Sequence, residues 1–401
     1  MGLSKAKGCS DAVLLILCII PIYFLVWGFT GMMPWTDNPY NSYTLQALAW
    51  LNGRLDLGRD YSHLEIAYYG GKYFVSFPPF PSYVMLPFAI FCGADTPDHF
   101  IALAVSLLGA VYALRLLHEF DIKGMPAVFW ALFLTVGTNL LFISVNGWVW
   151  FIAQNMSYTL CMMCLFYAKR GSGGIALALW AAAVGCRPFQ ALYLPVVLYL
   201  LYENSRGTNF FAFLKGHWTW CVAPAALAAS YMWLNYMRFG SVLEFGHNYL
   251  PEFLEAEKGQ FDWSYVRENM QALFKIPPIS GGKWMVPKFN GMAFWLVSPI
   301  FVSYILYVAL SMFKKEKVNF ALAVGIPVLI GVHFLLLTAH KTMGGWHFGN
   351  RYTNDALPFL FYGLLMLLPR EDKFRSLNYP LFLFGVAFNL IGTVAVYNNW
   401  I

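Results

Sequence analysis

Long apolar runs separated by short polar connections recur along the whole sequence. The first run, residues 12–33, is too long for a signal-peptide core and predicts an uncleaved membrane-spanning helix. Since a helix needs about 20 apolar residues to cross a bilayer, the pattern predicts about eleven spans within a single domain over residues 1–401. The predicted spans are 12–33, 100–117, 127–145, 148–167, 174–186, 188–202, 218–237, 292–313, 320–337, 356–368 and 381–397.

The predicted fold is therefore an all-α, polytopic transmembrane bundle. In the first long loop, residues 34–99, Asn41 or Ser42 is a candidate cap for a short amphipathic helix that Gly53 ends. Such a helix is expected to lie in the plane of the membrane interface, and segment 263–274 predicts a second one. A Pro-rich stretch leads into the apolar run 83–92, which predicts a re-entrant or broken helix.

The basic residues predict which side each connection faces, because cytoplasmic loops of membrane proteins are enriched in Lys and Arg. With the N-terminus inside, every inside connection is basic, while loops 34–99 and 239–291 and the turn 340–355 fall outside. We expect a multi-pass plasma-membrane protein with its polar chemistry on the extracytoplasmic face. The inside basic residues are Lys5, Lys7, Arg115, Lys123, Lys169, Arg170, Arg206, Lys215, Lys314, Lys315, Lys317, Arg370, Lys373 and Arg375.

Composition excludes several classes of protein. Hydrophobic residues make up 59% of the chain and charged residues 11%, whereas soluble domains carry about a quarter charged residues. Cys161 and Cys164 form one isolated pair inside an apolar run, so neither a disulfide framework nor a zinc site is expected. We predict no metal and no cofactor. No basic run accompanies a nucleic-acid-binding motif, so nucleic acid is not an expected partner.

The ionisable residues of the outside loops are the candidates for chemistry, since charges held against a bilayer are costly. Asp37 directly follows the first span, and Glu65 lies in the same loop. A carboxylate there can act as a general base on a hydroxyl. Asp37 could instead only cap a turn with Asn38 and Pro39, and Glu65 could be an ordinary loop acid.

The cations of this face suit an anionic group such as phosphate. Arg187 is flanked by apolar residues on both sides, although a snorkelling arginine would show the same pattern. Aromatic rings nearby can stack on sugars or line a lipid groove. A sugar linked to a lipid phosphate would use all of these features. The predicted phosphate-binding residues are Arg351, Lys341, His247, Arg187, Lys72 and Tyr352.

Several motifs occur in the order found in GT-C membrane glycosyltransferases, the superfamily of protein O-mannosyltransferases and aminoarabinose transferases. The chain resembles small bacterial members of that superfamily. The matching stretches are Asp37-Asn38, residues 47–54, residues 70–79 with Gly70-Gly71-Lys72-Tyr73-Phe74 and Pro78-Pro79, residues 235–241, and Phe348-Gly349-Asn350-Arg351-Tyr352.

The resemblance implies an inverting glycosyltransferase of the cell envelope that takes a sugar from a polyprenyl-phosphate donor to a lipid or glycan acceptor. It implies that Asp37 is the base. Asn38 stands where many relatives have a second acid, which argues against a divalent metal. Phe77 stands where aminoarabinose-type enzymes have Lys, so phosphate contact is expected from other cations, Arg351 first. The absence of a large C-terminal domain makes a peptide acceptor less expected.

Two other classes of protein fit the hydrophobic pattern. A transporter or flippase for a lipid-linked or anionic substrate would usually carry charges at mid-membrane depth and internal repeats, and neither is visible here. A catalytically silent scaffold or lipid-binding subunit is the third hypothesis. A lipid-filled groove leading to an outer-face cavity would favour the transferase, and a through-pathway would favour the transporter.

Overall fold

A computed structural model describes residues 2–205, 209–314, 319–369 and 375–401. The structure is mostly helical, at 69%. Five of the predicted inside basic residues lie outside the described residues, namely Arg206, Lys315, Lys317, Arg370 and Lys373.

The described part of the chain forms eighteen α-helices and two short β-hairpins. The helices are α1 Gly2–Thr30, α2 Ser42–Leu51, α3 Phe80–Cys92, α4 Asp98–Glu119, α5 Met125–Val136, α6 Leu140–Ser144, α7 Val149–Lys169, α8 Gly173–Val184, α9 Leu194–Glu203, α10 Phe210–Gly216, α11 Val222–Phe239, α12 Pro251–Leu254, α13 Val266–Phe274, α14 Phe294–Val297, α15 Ile300–Lys314, α16 Phe320–Thr338, α17 Leu357–Leu367 and α18 Asn378–Tyr397. The strands are β1 Ile66–Tyr69, β2 Lys72–Val75, β3 Ile279–Ser280 and β4 Lys283–Trp284.

In the part of the chain that the structure describes, five helical segments are long and apolar enough to cross a membrane, so the chain is a membrane protein. They are Gly8–Thr30, Asp98–Glu119, Val149–Lys169, Ala321–Thr338 and Arg375–Tyr397. The predicted count of eleven spans is not confirmed. Most of the other predicted spans contain shorter helices, and α11, in the predicted span 218–237, has 18 residues but is not among the helices apolar enough to cross. The predicted span 127–145 shows why. It breaks between α5 and α6, where the Asn139 backbone N–H donates to Ser298 Oγ at 3.1 Å and its side-chain amide donates to the Phe348 carbonyl at 3.0 Å.

The chain folds into two compact units. The first unit contains Met1–Met32, Ser106–Val145 and Trp263–Ile401, and the second contains Met33–Val105 and Asn146–Asp262. That the whole chain is one domain stays a prediction.

In the first unit, α1 is fastened by buried polar groups as well as by apolar packing. The Tyr23 hydroxyl lies 2.6 Å from both Ser106 Oγ and Ser144 Oγ. The Trp27 indole N–H donates to the Val145 carbonyl at 2.7 Å. Polar groups buried among helices are stable only when they are hydrogen-bonded. These bonds therefore fix the rotation of α1 against α4 and α6.

The second unit contains the first loop, and its helix α2 confirms the predicted short helix there. Asn41, one of the two predicted caps, makes no side-chain capping hydrogen bond, so that detail was wrong. The run 83–92 falls within α3, a 13-residue helix with Pro87 inside it. The helix predicted at 263–274 is also present, as α13 after a short 3-10 turn in the first unit.

The all-α prediction missed the hairpin of β1 and β2 in the second unit. Ile66 pairs with Val75 and Tyr69 with Lys72. The two tip residues, Gly70 and Gly71, both have positive φ, at 55° and 77°. Two-residue hairpin turns of this kind favour glycine, because the left-handed region is strained for other residues. Two adjacent glycines between aromatic residues were therefore the signal for this hairpin.

Gly385 in α18 tests the packing of the first unit. A Cβ at Gly385 would meet the carbonyl oxygen of Gly137, and backbone cannot move aside as a side chain can. We expect Gly385→Ala to lower the free energy of unfolding by about 1–3 kcal/mol, measured as a lower melting temperature in detergent.

Gly331 in α16 is the matched control. No heavy atom of the described chain lies within 4 Å of a Cβ built there. Gly331→Ala should leave stability unchanged or raise it by up to about 1 kcal/mol, since alanine is the better helix former. Equal melting temperatures for the two variants would contradict the packing described here.

Candidate functional site

Asn38 fixes the loop that follows the first span, within the second unit. Its side-chain N–H groups donate to Asp98 Oδ2 at 2.9 Å and to the Gly147 carbonyl at 2.8 Å. Its side-chain oxygen accepts from the Tyr40 backbone N–H at 3.0 Å. An aspartate would have no donor for the two acceptors that Asn38 serves. Asn38 thus fixes this loop through donors that only its amide supplies.

Asp98 is a buried carboxylate that the sequence analysis did not single out. It is 3% exposed, and Thr44 Oγ1 donates to its Oδ1 at 2.6 Å while Asn38 donates to Oδ2. Both carboxylate oxygens are therefore hydrogen-bonded, as a buried acid requires. The available signal was its place directly before a long apolar helix, the same kind of position that drew attention to Asp37.

His99 lies directly beside Asp98 in the chain and is also buried. Its Nδ1 accepts from the Gly147 backbone N–H at 2.9 Å, and its ring also hydrogen-bonds with the backbone of Asp37. The ring nitrogens thus connect the first loop to the start of α7. The His99 ring thus holds the main chain of Asp37 by a hydrogen bond, while the Asp37 side chain is exposed.

Glu65 and Arg187 come together around Tyr43, in the second unit. Both are half-buried, and both lie close enough to Tyr43 for their charges to act on its hydroxyl. The Tyr43 side chain is 2% exposed. Burial raises the pKa of Tyr43 well above its usual value, and the charge of Arg187 acts in the opposite direction. Tyr43 was not among the predicted site residues.

His247 joins this group through the segment that follows β2. Its Nδ1 lies 3.3 Å from the carbonyl oxygen of Ser76, and Ser76 Oγ donates to the Glu65 carbonyl at 2.8 Å. The ring of Phe77 lies 5.8 Å from that of His247 and 6.2 Å from that of Tyr43. The structure therefore gathers three predicted residues, Glu65, Arg187 and His247, around Tyr43 and Phe77.

Lys72 does not belong to this group. It is exposed and pairs with Tyr69 beside the hairpin tip, whereas Glu65 precedes the first residue at the hairpin base. The two pairs at the ends of the hairpin are three residue steps apart along the strand, which is about 10 Å at 3.3 Å per residue.

Arg238, within the matching stretch 235–241, is a structural residue. It is 3% exposed and donates to the Leu234 carbonyl at 3.2 Å, the Val75 carbonyl at 3.1 Å and Asn235 Oδ1 at 3.1 Å. These bonds attach the end of α11 to the end of β2.

In the first unit, Arg351 is buried in the turn that precedes α17. It is 6% exposed and donates two hydrogen bonds to the Gly344 carbonyl, from Nε at 3.0 Å and from Nη2 at 2.7 Å. Its guanidinium lies over the ring of Tyr352, 4.8 Å from the centroid. Lys341, half-buried, lies in the same turn. Arg351 thus closes the loop, and its contact with a phosphate stays a prediction.

His347 lies in this loop and is fully buried. Burial, together with the positive charge of Arg351, lowers the pKa of His347 to about 3. The imidazole is therefore neutral at physiological pH. Within the described ranges no group of three or more His, Cys, Asp or Glu residues could hold a metal ion.

No protein-family model matches this sequence, and no curated protein matches it at a significant level. Among solved structures, the chain is similar to the apo crystal structure of the Archaeoglobus fulgidus oligosaccharyltransferase, with a TM-score of 0.48 and 16% identity. The match covers 99% of this chain and 56% of that chain, so this chain spans just over half the length of that protein.

The hydrogen bonds of Asn38 predict that a negative charge at this position lowers the stability of the protein. Asn38→Asp removes both donated hydrogen bonds and places a second carboxylate beside Asp98. We expect the free energy of unfolding to fall by about 1–3 kcal/mol, seen as a lower melting temperature in detergent. Ser62→Asp adds the same charge at an exposed position of the same loop and should have little effect. If both variants melt alike, Asn38 does not fix this loop.

The lowered pKa of His347 predicts that the folded protein loses stability at acid pH. Its ordinary pKa of 6.5 applies in the unfolded chain and the lowered value in the folded chain, so the unfolded state binds the proton more readily. The stability that the neutral ring contributes is complete above pH 6.5 and is lost as the pH falls toward 3, by at most about 1.4 kcal/mol per pH unit.

The measurement is the difference in melting temperature between the natural protein and His347→Phe, followed from pH 7 to pH 4. Because His347→Phe cannot titrate at this position, the difference should shift against the natural protein as the pH falls. A difference that stays constant over that range would show that His347 is not held neutral.

Proposed function

We propose that this chain is an inverting membrane glycosyltransferase that takes a sugar from a polyprenyl-phosphate donor and passes it to a hydroxyl of a lipid or glycan acceptor. The observation that carries the proposal is the position of Asp37. Its carboxylate is exposed, while the adjacent Asn38 and the ring of His99 hold its main chain. A base that is both accessible and fixed is what proton abstraction from a bound hydroxyl requires.

The proposed reaction is a single displacement. Asp37 removes the proton of the acceptor hydroxyl, and the oxygen attacks the anomeric carbon of the donor. The bond between that carbon and the phosphate oxygen breaks, and the lipid phosphate leaves with the electron pair. Inversion at the anomeric carbon follows from one displacement. Glu65, in the same unit, is proposed to orient the acceptor.

Cations stabilise the phosphate charge that develops in such a step. In the second unit we assign this role to Arg187 and His247, because both belong to the group around Tyr43 and Phe77. Phe77 is the position where aminoarabinose-type enzymes have Lys, so these two cations stand in for that charge. That Lys341, Arg351, Tyr352 and Lys72 also contact the donor stays a prediction from the sequence. The extracytoplasmic location of the site also belongs to the proposal.

The location is tested by labelling with a membrane-impermeant maleimide. Lys72→Cys and Lys123→Cys replace an exposed side chain in the first loop and one after α4. The background lacks Cys9, Cys92 and Cys221, the exposed native cysteines of the described chain. We expect Lys72→Cys to react in intact cells and Lys123→Cys only after permeabilisation. Labelling of both variants from the same side would contradict the topology.

Asp37→Asn tests the base. The amide keeps the shape of the side chain and removes its basicity, so transfer should fall by about 10²–10⁴, with melting temperature and donor binding unchanged. The readout is sugar transfer from polyprenyl-phosphate donors by purified protein. Asp60→Asn removes another exposed acid of the same loop and should retain the natural rate.

Turnover of Asp37→Asn at the natural rate would remove Asp37 from the chemistry and move the base to Glu65, the other predicted catalytic acid. If Glu65→Gln were then also fully active, the proposed transferase would have no base and the proposal would fail.

A further inference from the structure

Four buried polar groups of α2 share one side of that helix. Ser42 Oγ, the Tyr43 hydroxyl, Gln46 Nε2 and Trp50 Nε1 are all buried, and none makes a hydrogen bond to a residue that the structure describes. Ser42, Gln46 and Trp50 are spaced four residues apart, and Tyr43 is three before Gln46. Residues with this spacing lie on the same side of a helix. We call these four groups the donor row.

The donor row faces polar and aromatic groups of α3. Ser82 Oγ donates to Gln46 Oε1 at 2.8 Å, so the acceptor of that amide is occupied while its N–H groups are not. The rings of Trp50 and Tyr83 lie 5.4 Å apart. At the other end, the charges of Arg187 and Glu65 lie close enough to act on the Tyr43 hydroxyl. The seam between α2 and α3 thus runs from a cation at one end to aromatic rings at the other.

A buried polar group without a hydrogen bond destabilises a fold by about 1–3 kcal/mol. Four such groups on one ten-residue helix therefore call for a physical reason. All four can donate, whereas a seam built only for packing would carry apolar residues there. Donors in a row complement a ligand whose surface is rich in acceptor oxygens. From Ser42 to Trp50 the row is about 12 Å long at 1.5 Å per residue, enough for a sugar with its phosphate.

We propose that the donor row of α2 binds the sugar-phosphate end of a phosphate ester, with the phosphate at the Tyr43 end beside Arg187 and the sugar oxygens toward Gln46 and Trp50. Phosphate oxygens accept hydrogen bonds and carry the charge that Arg187 complements. Glu65 opposes that charge and suits a sugar hydroxyl. Arg187 is half-buried, so the ligand reaches the row from that end. This inference rests on the proposed function for the identity of the donor.

Tyr43→Phe separates a ligand role from a structural role. If the hydroxyl exists for a ligand, its removal leaves the melting temperature of the ligand-free protein unchanged or higher, because an unpartnered buried group is lost. The same variant should bind a phosphate ester about tenfold to a hundredfold more weakly, the effect of one lost hydrogen bond to a charged group. Gln46→Leu should show the same loss of affinity, while its melting temperature falls because Ser82 Oγ loses its acceptor. Tyr304→Phe, the control, removes a hydroxyl in the first unit and should keep the natural affinity.

The probes are inorganic phosphate, mannose 1-phosphate, farnesyl phosphate and farnesyl-phosphate mannose, with binding measured by calorimetry in detergent. A lipid-linked donor predicts that the last probe binds most tightly and loses the most in Tyr43→Phe. Equal loss for mannose 1-phosphate would identify a soluble sugar phosphate as the ligand and would overturn the assignment to the lipid-linked donor. Natural affinity in both Tyr43→Phe and Gln46→Leu, or a lower melting temperature of the ligand-free Tyr43→Phe protein, would overturn the donor row as a ligand site.

These outcomes are independent of the outcome for Asp37. If the protein binds phosphate esters through the donor row but transfers no sugar, the donor row is supported and the proposed transferase is contradicted. If sugar transfer is unchanged in Tyr43→Phe and Gln46→Leu, the transferase is supported and the donor row is contradicted.

Discussion

The amide of Asn38 is the constraint on which the first loop of the second unit depends. One side chain connects the start of the first loop to the start of α4 and to the turn before α7, through two donated hydrogen bonds. The acceptors are a buried carboxylate and a buried carbonyl, and neither can be left without a donor at low cost. Asp37 is therefore presented on a fixed main chain although its side chain faces outward. A catalytic role for Asp37 depends on this arrangement.

In the turn before α17 of the first unit, a buried charge is again held by fixed partners, but here the charge is positive. Arg351 is buried, and its guanidinium is held by one carbonyl and by the ring of Tyr352. Gly344 permits that approach, since a Cβ there would lie 3.0 Å from Arg351 Nε and 3.2 Å from the ring of His347. Burial and, to a lesser extent, this fixed cation keep His347 neutral. The contacts of this turn therefore hold the charge of Arg351 in place.

Hydropathy was enough to predict a helical membrane protein, the helix α2 and the helix α13, because these depend on local pattern. The eleven spans were not confirmed, since tertiary hydrogen bonds at residues such as Asn139 interrupt an apolar run that length alone predicts as continuous. Glu65, Arg187 and His247 were predicted one by one. Their meeting around Tyr43 depends on contacts between segments that are far apart in the sequence, which no local pattern contains. Asp98 was missed because a buried acid looks like any loop acid until its partners are known.

The donor row extends this account from the exposed acid to the buried helix beside it, and both belong to a chain that is proposed to handle a lipid-linked sugar. The most direct test is to incubate the purified natural protein with a panel of polyprenyl-phosphate sugars and candidate lipid and glycan acceptors, and to follow both products by mass spectrometry. The account predicts free polyprenyl phosphate and a glycosylated acceptor in equal amounts, with inverted configuration at the anomeric carbon. Retained configuration, or movement of intact donor across the bilayer of a vesicle without cleavage, would contradict it.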